Sequence, residues 1–172
     1  IEDCTAPTAV CQDITACLDG SGNATITPTQ INNSSSDICD ASPTLSLSQE
    51  AFTCANLGTN SVQLTVEDQG GNTATCAATV TIEDCNAPIA SCQDITLCLD
   101  ASGNATLTAS QLDDNSTDAC TASLTLSTDI SAFTCADLGE NAVHLFVQDN
   151  ASNADTCQST VTIQDCTPPV AQ

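Results

Sequence analysis

The sequence contains no lysine and no arginine, so nothing basic balances its 22 acidic residues. The formal net charge is −22 at pH 7, counted with the single histidine neutral. A surface of this charge repels polyanions, which excludes DNA, RNA and heparin as partners. It also causes self-repulsion unless cations are taken up. The charge therefore predicts either a solvated acidic coat or a protein that binds cations.

The large side chains that usually fill a core are also scarce. There is no Trp, Tyr or Met, and there are three Phe. A core built from Ala, Val, Leu and Ile leaves a small unit little margin over the conformational entropy of its ordered chain. No run of 18 apolar residues is present, so we expect no membrane insertion in this segment. We expect a signal peptide and any anchor to lie outside it.

Cysteine is abundant, with thirteen residues. No two of them are spaced as C-x-x-C, and a single histidine adds little to a zinc ligand set. The number and spacing of the cysteines favour disulfides formed in an oxidising compartment. We therefore expect an extracellular protein, either secreted or held at a cell surface.

A nine-residue motif occurs three times, 81 positions apart, beginning at Ile1, Ile82 and Ile163. Aligning 4–84 with 85–165 needs no gap and matches roughly 47 of 81 positions. A period of this length marks a tandem array in which each repeat is a compact unit. We predict a segment of a longer polymer, with one β-sandwich repeat at 4–84, a second at 85–165, and parts of neighbouring repeats at 1–3 and 166–172.

Apolar and polar residues alternate with a period of two along several stretches of each repeat. Val62, Leu64 and Val66 occupy one side of such a stretch, and Gln63 and Thr65 occupy the other. Thr, Val and Ile dominate these stretches, as half-buried strands prefer, and turns rich in Gly, Asn and Asp separate them. We find no helical pattern. The sequence predicts an all-β, disulfide-rich fold of tandem antiparallel immunoglobulin-like β-sandwiches with about seven strands each.

The first strand of the second repeat has a break in its register. Ile95, Leu97 and Leu99 share one face of the strand. Cys92 lies three positions before Ile95, so it cannot share that face without a bulge or a change of sheet. We predict that the chain crosses from one sheet to the other near Gln93–Asp94.

The cysteines can be paired from the faces that they occupy. Cys11 and Cys76 lie on inward rows of the first and last strands, which favours a bond worth about 4 kcal/mol in the loop-entropy model. Cys17 faces outward beside the first turn, at the pole where the chain leaves through Cys85. A third pair, Cys39 and Cys54, flanks the middle hairpin of the first repeat. With their second-repeat counterparts, the predicted pairs are Cys11–Cys76, Cys39–Cys54, Cys17–Cys85, Cys92–Cys157, Cys120–Cys135 and Cys98–Cys166.

An alternative pairing joins Cys4 to Cys17 and Cys85 to Cys98. It would span the length of the sandwich, and cysteines with Cα atoms more than about 7 Å apart cannot be bridged. We favour the first pairing, in which Cys4 has its partner in an upstream repeat. A disulfide at each joint between repeats would remove hinge freedom, as a stiff fibre requires.

Three strings carry a family resemblance: Ala-Pro-x-Ala-x-Cys-Gln-Asp-Ile-Thr, Leu-Asp-x-Ser-Gly-Asn-Ala-Thr and Ala-Phe-Thr-Cys-Ala-x-Leu-Gly. They are similar to hyalin-repeat-like, immunoglobulin-like modules found in tandem in large secreted surface proteins of Bacteroidetes-type bacteria. The resemblance covers both repeats. It implies a β-sandwich, an adhesive or structural extracellular role, and no catalytic residues. Cys4, Cys17 and their copies depart from the family, which more often has Asn and an aliphatic residue there.

The joint motif is acidic. Its second copy, 83–88, resembles the Asx-Pro joint of cadherin-type repeats, in which carboxylates of neighbouring domains share calcium ions. Carboxylate and carbonyl oxygens suit Ca²⁺. The alternative interpretation is that Asp and Asn form turns through bonds from side chain to backbone. The candidate calcium ligands are Glu2, Asp3, Asp68, Glu83, Asp84, Asp149 and Asp165.

Several triplets fit the Asn-x-Ser/Thr acceptor of N-linked glycans. In a chain so rich in Asn, Ser and Thr such triplets also arise by chance, and a plain polar strand face is the alternative interpretation. The candidate glycosylation sites are Asn23, Asn33, Asn104, Asn115 and Asn150.

We predict a structural repeat of an extracellular fibre, stalk or surface filament, stiffened by disulfides and by calcium at the joints. The alternatives are an adhesin module that binds glycans or a partner cell surface, and ice or mineral binding by rows of Thr such as Thr79 and Thr81. No Ser-His-Asp or Cys-His arrangement repeats, so we expect no enzyme. The expected partners are further copies of the repeat in the same chain, laterally associated chains and glycans.

Overall fold

The computed structural model describes residues 4–168. The chain forms two compact units that divide after Asn86, which we call unit 1 and unit 2. The predicted boundary lies two residues earlier. The candidate calcium ligands Glu2 and Asp3 lie outside the described residues.

Each unit contains six strands, a short α-helix and a short 3-10 helix within residues 4–168. In unit 1 these are β1 (Ile14–Cys17), β2 (Asn23–Thr25), α1 (Pro28–Ile31), β3 (Thr44–Leu47), β4 (Ala51–Thr53), the 3-10 helix Cys54–Asn56, β5 (Gly58–Glu67) and β6 (Thr73–Glu83). In unit 2 they are β7 (Ile95–Cys98), β8 (Asn104–Thr106), α2 (Ala109–Leu112), β9 (Thr125–Thr128), β10 (Ala132–Thr134), the 3-10 helix Cys135–Asp137, β11 (Gly139–Gln148) and β12 (Ala154–Gln164).

Two sheets form each unit. The larger sheet has the strand order β1-β6-β5-β3 in unit 1 and β7-β12-β11-β9 in unit 2. The smaller sheets pair β2 with β4 and β8 with β10. Strand β1 runs parallel to β6, and β7 runs parallel to β12. This differs from the all-antiparallel expectation. The predicted class, an all-β protein of tandem immunoglobulin-like sandwiches rich in disulfides, is confirmed.

The predicted alternation decides which side chains form the core. Val62, Leu64 and Val66 of β5 are fully buried, and Phe52 of the smaller sheet is buried as well. In unit 2 the core is formed by the equivalent rows and Phe133. Burying one such side chain contributes about 1.5–3 kcal/mol. Two of the three Phe residues thus lie in the cores, whereas Phe146 is 41% exposed.

The short helices contradict the expectation that no helix is present. Strand β2 ends at Thr25, and the turn that follows places Pro28 at the first helical position. The Thr27 N–H donates to Gln30 Oε1 at 2.7 Å, as in a capping box, and Ile31 is buried. A segment this short carries too little periodicity to be recognised. None of the helices among residues 4–168 has the length and hydropathy needed to span a bilayer.

The first strand changes sheets as its register predicts. Before the crossing, Ile89 bridges Thr117 and Cys92 bridges Asp113. After it, β7 pairs with β12 of the larger sheet. These bridges in 89–92 account for the difference between six observed strands and the predicted seven.

Candidate functional site

The two ends of each unit carry the candidate functional residues. We call the end where the last strand finishes the tail pole, and the opposite end the head pole. In unit 1, Cys17 pairs with Glu83 at the end of β6, and β5 begins beside them at Gly58, opposite Ile82. All of these residues therefore lie at the tail pole. Unit 2 has the same arrangement 81 positions later.

The head pole of unit 1 is formed by the turn 68–72 and the loop 37–40. The turn follows the end of β5, where Glu67 pairs with Thr73. The Gln69 N–H donates to Asp40 Oδ2 at 3.1 Å, which fixes the loop beside the turn. In unit 2 the head pole is formed by the turn 149–153 and the loop 118–121.

Two disulfides lie inside the sandwiches. Cys11 is bonded to Cys76 with a Cα–Cα distance of 5.8 Å. Cys92 is bonded to Cys157 at 6.0 Å. Both are predicted pairs, and each ties the segment before the sheet crossing to the last strand of its unit.

Two further disulfides lie at the tail poles. Cys17 is bonded to Cys85 with a Cα–Cα distance of 5.6 Å, and Cys98 is bonded to Cys166 at 5.5 Å. These pairs are also the predicted ones. In unit 1 the Asn86 side chain adds a hydrogen bond from Nδ2 to the Leu18 carbonyl at 2.7 Å. The chain that leaves the last strand is thus attached to the first strand of the same unit.

The predicted pairs Cys39–Cys54 and Cys120–Cys135 are wrong. The Cys39 N–H donates to Asp37 at the head pole, whereas Cys54 Sγ lies 3.7 Å from the Gly22 carbonyl at the tail pole. The ten residues of β5 separate the two poles, which is about 30 Å at the rise of a strand. A disulfide bridges Cα atoms no more than about 7 Å apart. Cys135 of unit 2 is exposed and forms no disulfide.

The error has a topological cause. The segment from β3 to β4 was predicted to be a hairpin, which would bring its two ends together. Instead β3 pairs with β5 in the larger sheet and β4 pairs with β2 in the smaller one. Both strands run from head to tail, because the chain changes sheets at 48–50. The cysteines that flank this segment therefore lie at opposite poles.

Many aspartates serve as turn formers. Asp68 is buried, and its carboxylate accepts from the Asn72 N–H at 2.8 Å and from Asn72 Nδ2 at 2.9 Å. The Asn72 side chain lowers the pKa of Asp68 from its usual value, against the opposing effect of burial. Asp149 makes the equivalent bonds to Asn153. Asp19 and Asp100 bind backbone N–H groups of their own turns.

The candidate calcium ligands are divided between the poles of each unit. In unit 1, Glu83 and Asp84 follow β6 at the tail pole, whereas Asp68 lies at the head pole. In unit 2, Asp149 lies at the head pole and Asp165 at the tail pole, where Thr167 binds its carboxylate. The Thr167 hydroxyl, 2.6 Å from Asp165 Oδ1, and its N–H lower the pKa of Asp165.

Asp118 is an acidic residue that the sequence analysis missed. Its carboxylate and that of Asp149 offer oxygen atoms within 4.8 Å of each other at the head pole of unit 2. Asp118 Oδ1 also accepts from the Cys120 and Thr121 N–H groups. Asp37 occupies the same position in unit 1, but this repetition alone does not indicate a ligand.

The single histidine lies at the surface and forms an ion pair when it is protonated. His144 Nδ1 is 2.8 Å from Asp129 Oδ2. Burial raises the pKa of Asp129, but hydrogen bonds from the His144 side chain and backbone outweigh it and lower the pKa overall. Unit 1 has Gln63 and Ser48 at these positions, so the pair is specific to unit 2.

All five candidate glycosylation sites are exposed: Asn23, Asn33, Asn104, Asn115 and Asn150. Asn23 and Asn104 use their side chains inside the turns, where Nδ2 donates to the Ser21 and Ser102 carbonyls. These two amides are therefore more constrained than the others.

The chain has no match among protein-family models or among curated proteins. The resemblance to hyalin-repeat modules, and the bacterial origin that it implies, remain predictions.

Solved structures of cadherin extracellular domains are similar in fold. Human protocadherin-24 EC1-2 has a TM-score of 0.47 and 12% identity, over 94% of this chain and 99% of that one. Drosophila N-cadherin EC1-4 has 0.46 and 11%, over 94% and 50%. Protocadherin gamma B7 extracellular cadherin domains 1-4 has 0.42 and 15%, over 93% and 51%. The chain thus spans about half of the latter two, and likeness at this level concerns fold class alone.

Proposed function

We propose that this chain is a structural segment of an extracellular fibre, stalk or surface filament made of tandem repeats. The observation that carries the proposal is the disulfide at each tail pole, Cys17–Cys85 and Cys98–Cys166. A module that acted alone would gain little from fastening its outgoing chain to its own first strand. A fibre gains stiffness at each joint.

The physical argument concerns conformational freedom. Ordering the backbone of one flexible joint residue costs about 1–2 kcal/mol of conformational entropy at 25 °C. The covalent bond at Cys85 and the hydrogen bond from Asn86 to Leu18 hold two successive joint residues against the sandwich. Few residues then remain to act as a hinge.

Distance distributions between the two units test this proposal. Because the chain has no lysine, Ser46→Lys and Ser127→Lys create two unique amine sites once the N-terminal amine is acetylated. Both serines are exposed in equivalent strands. Single-molecule energy transfer between dyes on these lysines should give a narrow distribution, and Cys17→Ser with Cys85→Ser should broaden it.

The matched control removes the internal disulfide of the same unit, with Cys11→Ser and Cys76→Ser. This variant loses a bond of similar loop length, so it controls for lost stability. Its distribution should stay narrow while circular dichroism reports the folded state. Equal widths in all three proteins would contradict the stalk.

We also propose that calcium stiffens the array. At the head pole of unit 2, Asp118 and Asp149 offer the hard oxygen ligands that Ca²⁺ prefers. Two carboxylates are fewer than the six to eight oxygens that Ca²⁺ takes. The acidic joint motif Glu83–Asp84 is a separate candidate for calcium binding, proposed from the sequence alone.

Titration calorimetry with Ca²⁺ tests this second proposal. Asp149→Asn should remove most of the binding heat, because one charged ligand is lost. Asp100→Asn is the matched control, since Asp100 forms the same kind of turn at the tail pole. No heat with the unsubstituted chain, or equal losses in both variants, would contradict calcium binding.

Adhesion to glycans or to a partner cell surface is the alternative function, and binding of the chain to arrayed glycans would favour it.

Glycosylation and lateral association are further proposals from the sequence. Mass spectrometry of native material would detect glycans at the five exposed asparagines. Sedimentation of the chain over a range of concentrations would detect lateral association.

A further inference from the structure

One surface of unit 2 differs in chemistry from its counterpart in unit 1. Four positions on it carry side chains that unit 1 lacks: Asp129, Ile130, His144 and Phe146. The equivalent residues of unit 1 are Ser48, Gln49, Gln63 and Thr65. Four uncharged polar side chains are thus replaced by a carboxylate, an imidazole and two apolar groups. We call these four residues of unit 2 the β11 patch.

The residues of the β11 patch are brought together by strand pairing. His144 and Phe146 lie on either side of the buried Leu145 of β11, so both face outward, and their ring centroids are 6.5 Å apart. The Asp129 carboxylate is held beside them, because Oδ1 accepts from the His144 N–H at 2.9 Å and Oδ2 lies 2.8 Å from His144 Nδ1. Ile130 follows Asp129 directly.

The β11 patch is open to solvent. Phe146 is 41% exposed, whereas the other two phenylalanines of the chain are buried in the cores. Ile130 is 37% exposed, and the Asp129 side chain is 35% exposed. An exposed aromatic ring beside a fixed carboxylate is typical of a protein interaction surface, where aromatic residues are enriched.

The charge of the chain decides which partner fits this surface. A second copy of the chain would bring a further formal charge of −22, and polyanions are repelled as well. A cationic partner is attracted at long range, which raises its association rate. At contact, an arginine side chain suits both exposed groups, because a guanidinium stacks on an aromatic ring and binds a carboxylate through two hydrogen bonds.

We propose that the β11 patch binds an arginine-containing segment of a basic partner protein. The guanidinium stacks on the Phe146 ring and donates to the Asp129 carboxylate, which His144 holds in position. This function goes beyond the stalk, since it places a specific partner site on unit 2 and does not require the tail-pole disulfides.

The test uses the full chain labelled with ¹⁵N, with the peptide acetyl-Gly-Arg-Gly-Arg-Gly-amide as the probe. Amide chemical shifts should move more at 127–130 and 144–146 than at the equivalent 46–49 and 63–65. The same peptide with citrulline in place of arginine keeps the shape without the charge, and it should leave the shifts of the β11 patch unchanged. Phe146→Thr and Asp129→Ser should each weaken binding of the arginine peptide about 2–5-fold.

Transfer of the patch to unit 1 is the complementary experiment. The variant combines four substitutions: Ser48→Asp, Gln49→Ile, Gln63→His and Thr65→Phe. It should gain a second set of peptide-induced shifts at 46–49 and 63–65, while circular dichroism reports the folded state.

Three outcomes would overturn the proposal: no shift at the β11 patch, equal shifts in both units of the unsubstituted chain, or a folded transfer variant that gains no site. Binding of a neutral oligosaccharide, such as cellohexaose, to the β11 patch in place of the peptide would overturn it too and assign the surface to glycan adhesion. The energy-transfer widths depend on Cys17–Cys85, so the stalk and this partner site can fail separately.

Discussion

Gly103 lies in the turn after β7, where its backbone is close to the Cys135 sulfur atom at the tail pole. Its φ of +78° is one that L side chains rarely adopt, and a Cβ built there would lie 2.7 Å from Cys135 Sγ. Gly139 has a φ of +106° with no atom within 4 Å of the equivalent Cβ. Both glycines relieve backbone strain, but only Gly103 also makes room for a side chain.

We therefore predict that Gly103→Ala destabilises unit 2 by about 1–2 kcal/mol from backbone strain alone, with a further cost from the sulfur. Cys135→Ala should recover about 0.5–1 kcal/mol of that loss as a coupling energy. Gly139→Ala should show no coupling to Cys135→Ala. Denaturant unfolding of the four variants measures both cycles, and equal coupling in the two would contradict the contact.

The pKa of Asp155 is linked to local stability through the hydrogen bonds that its carboxylate accepts. Its Oδ2 accepts from the Ala90 N–H at 3.0 Å, which lowers the pKa of Asp155 below its usual value, with help from the Thr156 N–H. A lowered pKa in the folded state means that the ionised form stabilises the fold. The contribution is complete above the unfolded pKa of about 4 and is lost as the pH falls through the lower folded value.

We predict that the Ala90 amide loses protection from hydrogen exchange as the pH falls below about 4, after correction for the intrinsic rate. Asp155→Asn should give weaker protection that no longer depends on pH in this range. Unit 1 has Ala74 in place of Asp155 and Ala9 in place of Ala90. The Ala9 amide, which lacks this carboxylate, is therefore the internal control. The same pH profile in Asp155→Asn would contradict the assignment.

At the scale of elements, one carboxylate fixes the sheet crossing in each unit. Asp94 Oδ1 accepts from the Thr160 N–H at 2.6 Å, and Asp13 binds Thr79 in the same way at 2.7 Å. The bond joins the crossing point to the last strand, directly before their parallel pairing begins. The aspartate therefore decides where β7 joins the larger sheet.

We predict that Asp94→Ala destabilises unit 2 by about 1.5–3 kcal/mol, the usual range for a hydrogen bond to a charged group. Asp114→Ala is the control, because that side chain is exposed in a loop of the same unit. Thermal unfolding followed by circular dichroism measures both. A loss no larger for Asp94 than for Asp114 would show that the pairing of β7 does not need the carboxylate.

The elements differ in how far the sequence could predict them. Period-two alternation predicted β5, β6, β11 and β12 because each buries one face, and the phase change at Cys92 predicted the crossing. The helix α1 could not be predicted, since four residues carry too little periodicity. The parallel pairing of β1 with β6 also lay beyond prediction, because alternation fixes the buried face but not the strand direction.

Alternation fixes the buried face of a strand but not its direction, and this difference also explains which features of the candidate site could be predicted. The pairs within the core and at the tail poles followed from inward or outward faces, which alternation specifies. The pairing of Cys39 with Cys54 required the direction of β3 and β4, and the assumed hairpin was wrong. Asp118 was missed because its role depends on a loop that returns beside the turn 149–153, which no local pattern encodes.

At the scale of the whole molecule, the disulfides compensate for small cores and a charge of −22. The bonds within unit 2 have nearly equal sequence separations, 65 for Cys92–Cys157 and 68 for Cys98–Cys166. In the loop-entropy model each contributes about 4 kcal/mol, and the two differ by less than about 0.1 kcal/mol. Any difference between them must therefore lie in which segment they restrain.

We predict that replacing both cysteines of either pair with serine lowers the free energy of unfolding of unit 2 by similar amounts, measured in guanidinium. Hydrogen exchange should separate the two variants. Loss of Cys98–Cys166 should speed exchange at 165–167, because that bond holds the outgoing segment to β7, whereas loss of Cys92–Cys157 should leave the segment protected. If both variants exchange equally at 165–167, the tail-pole disulfide acts only on stability and the argument for a stiff joint fails.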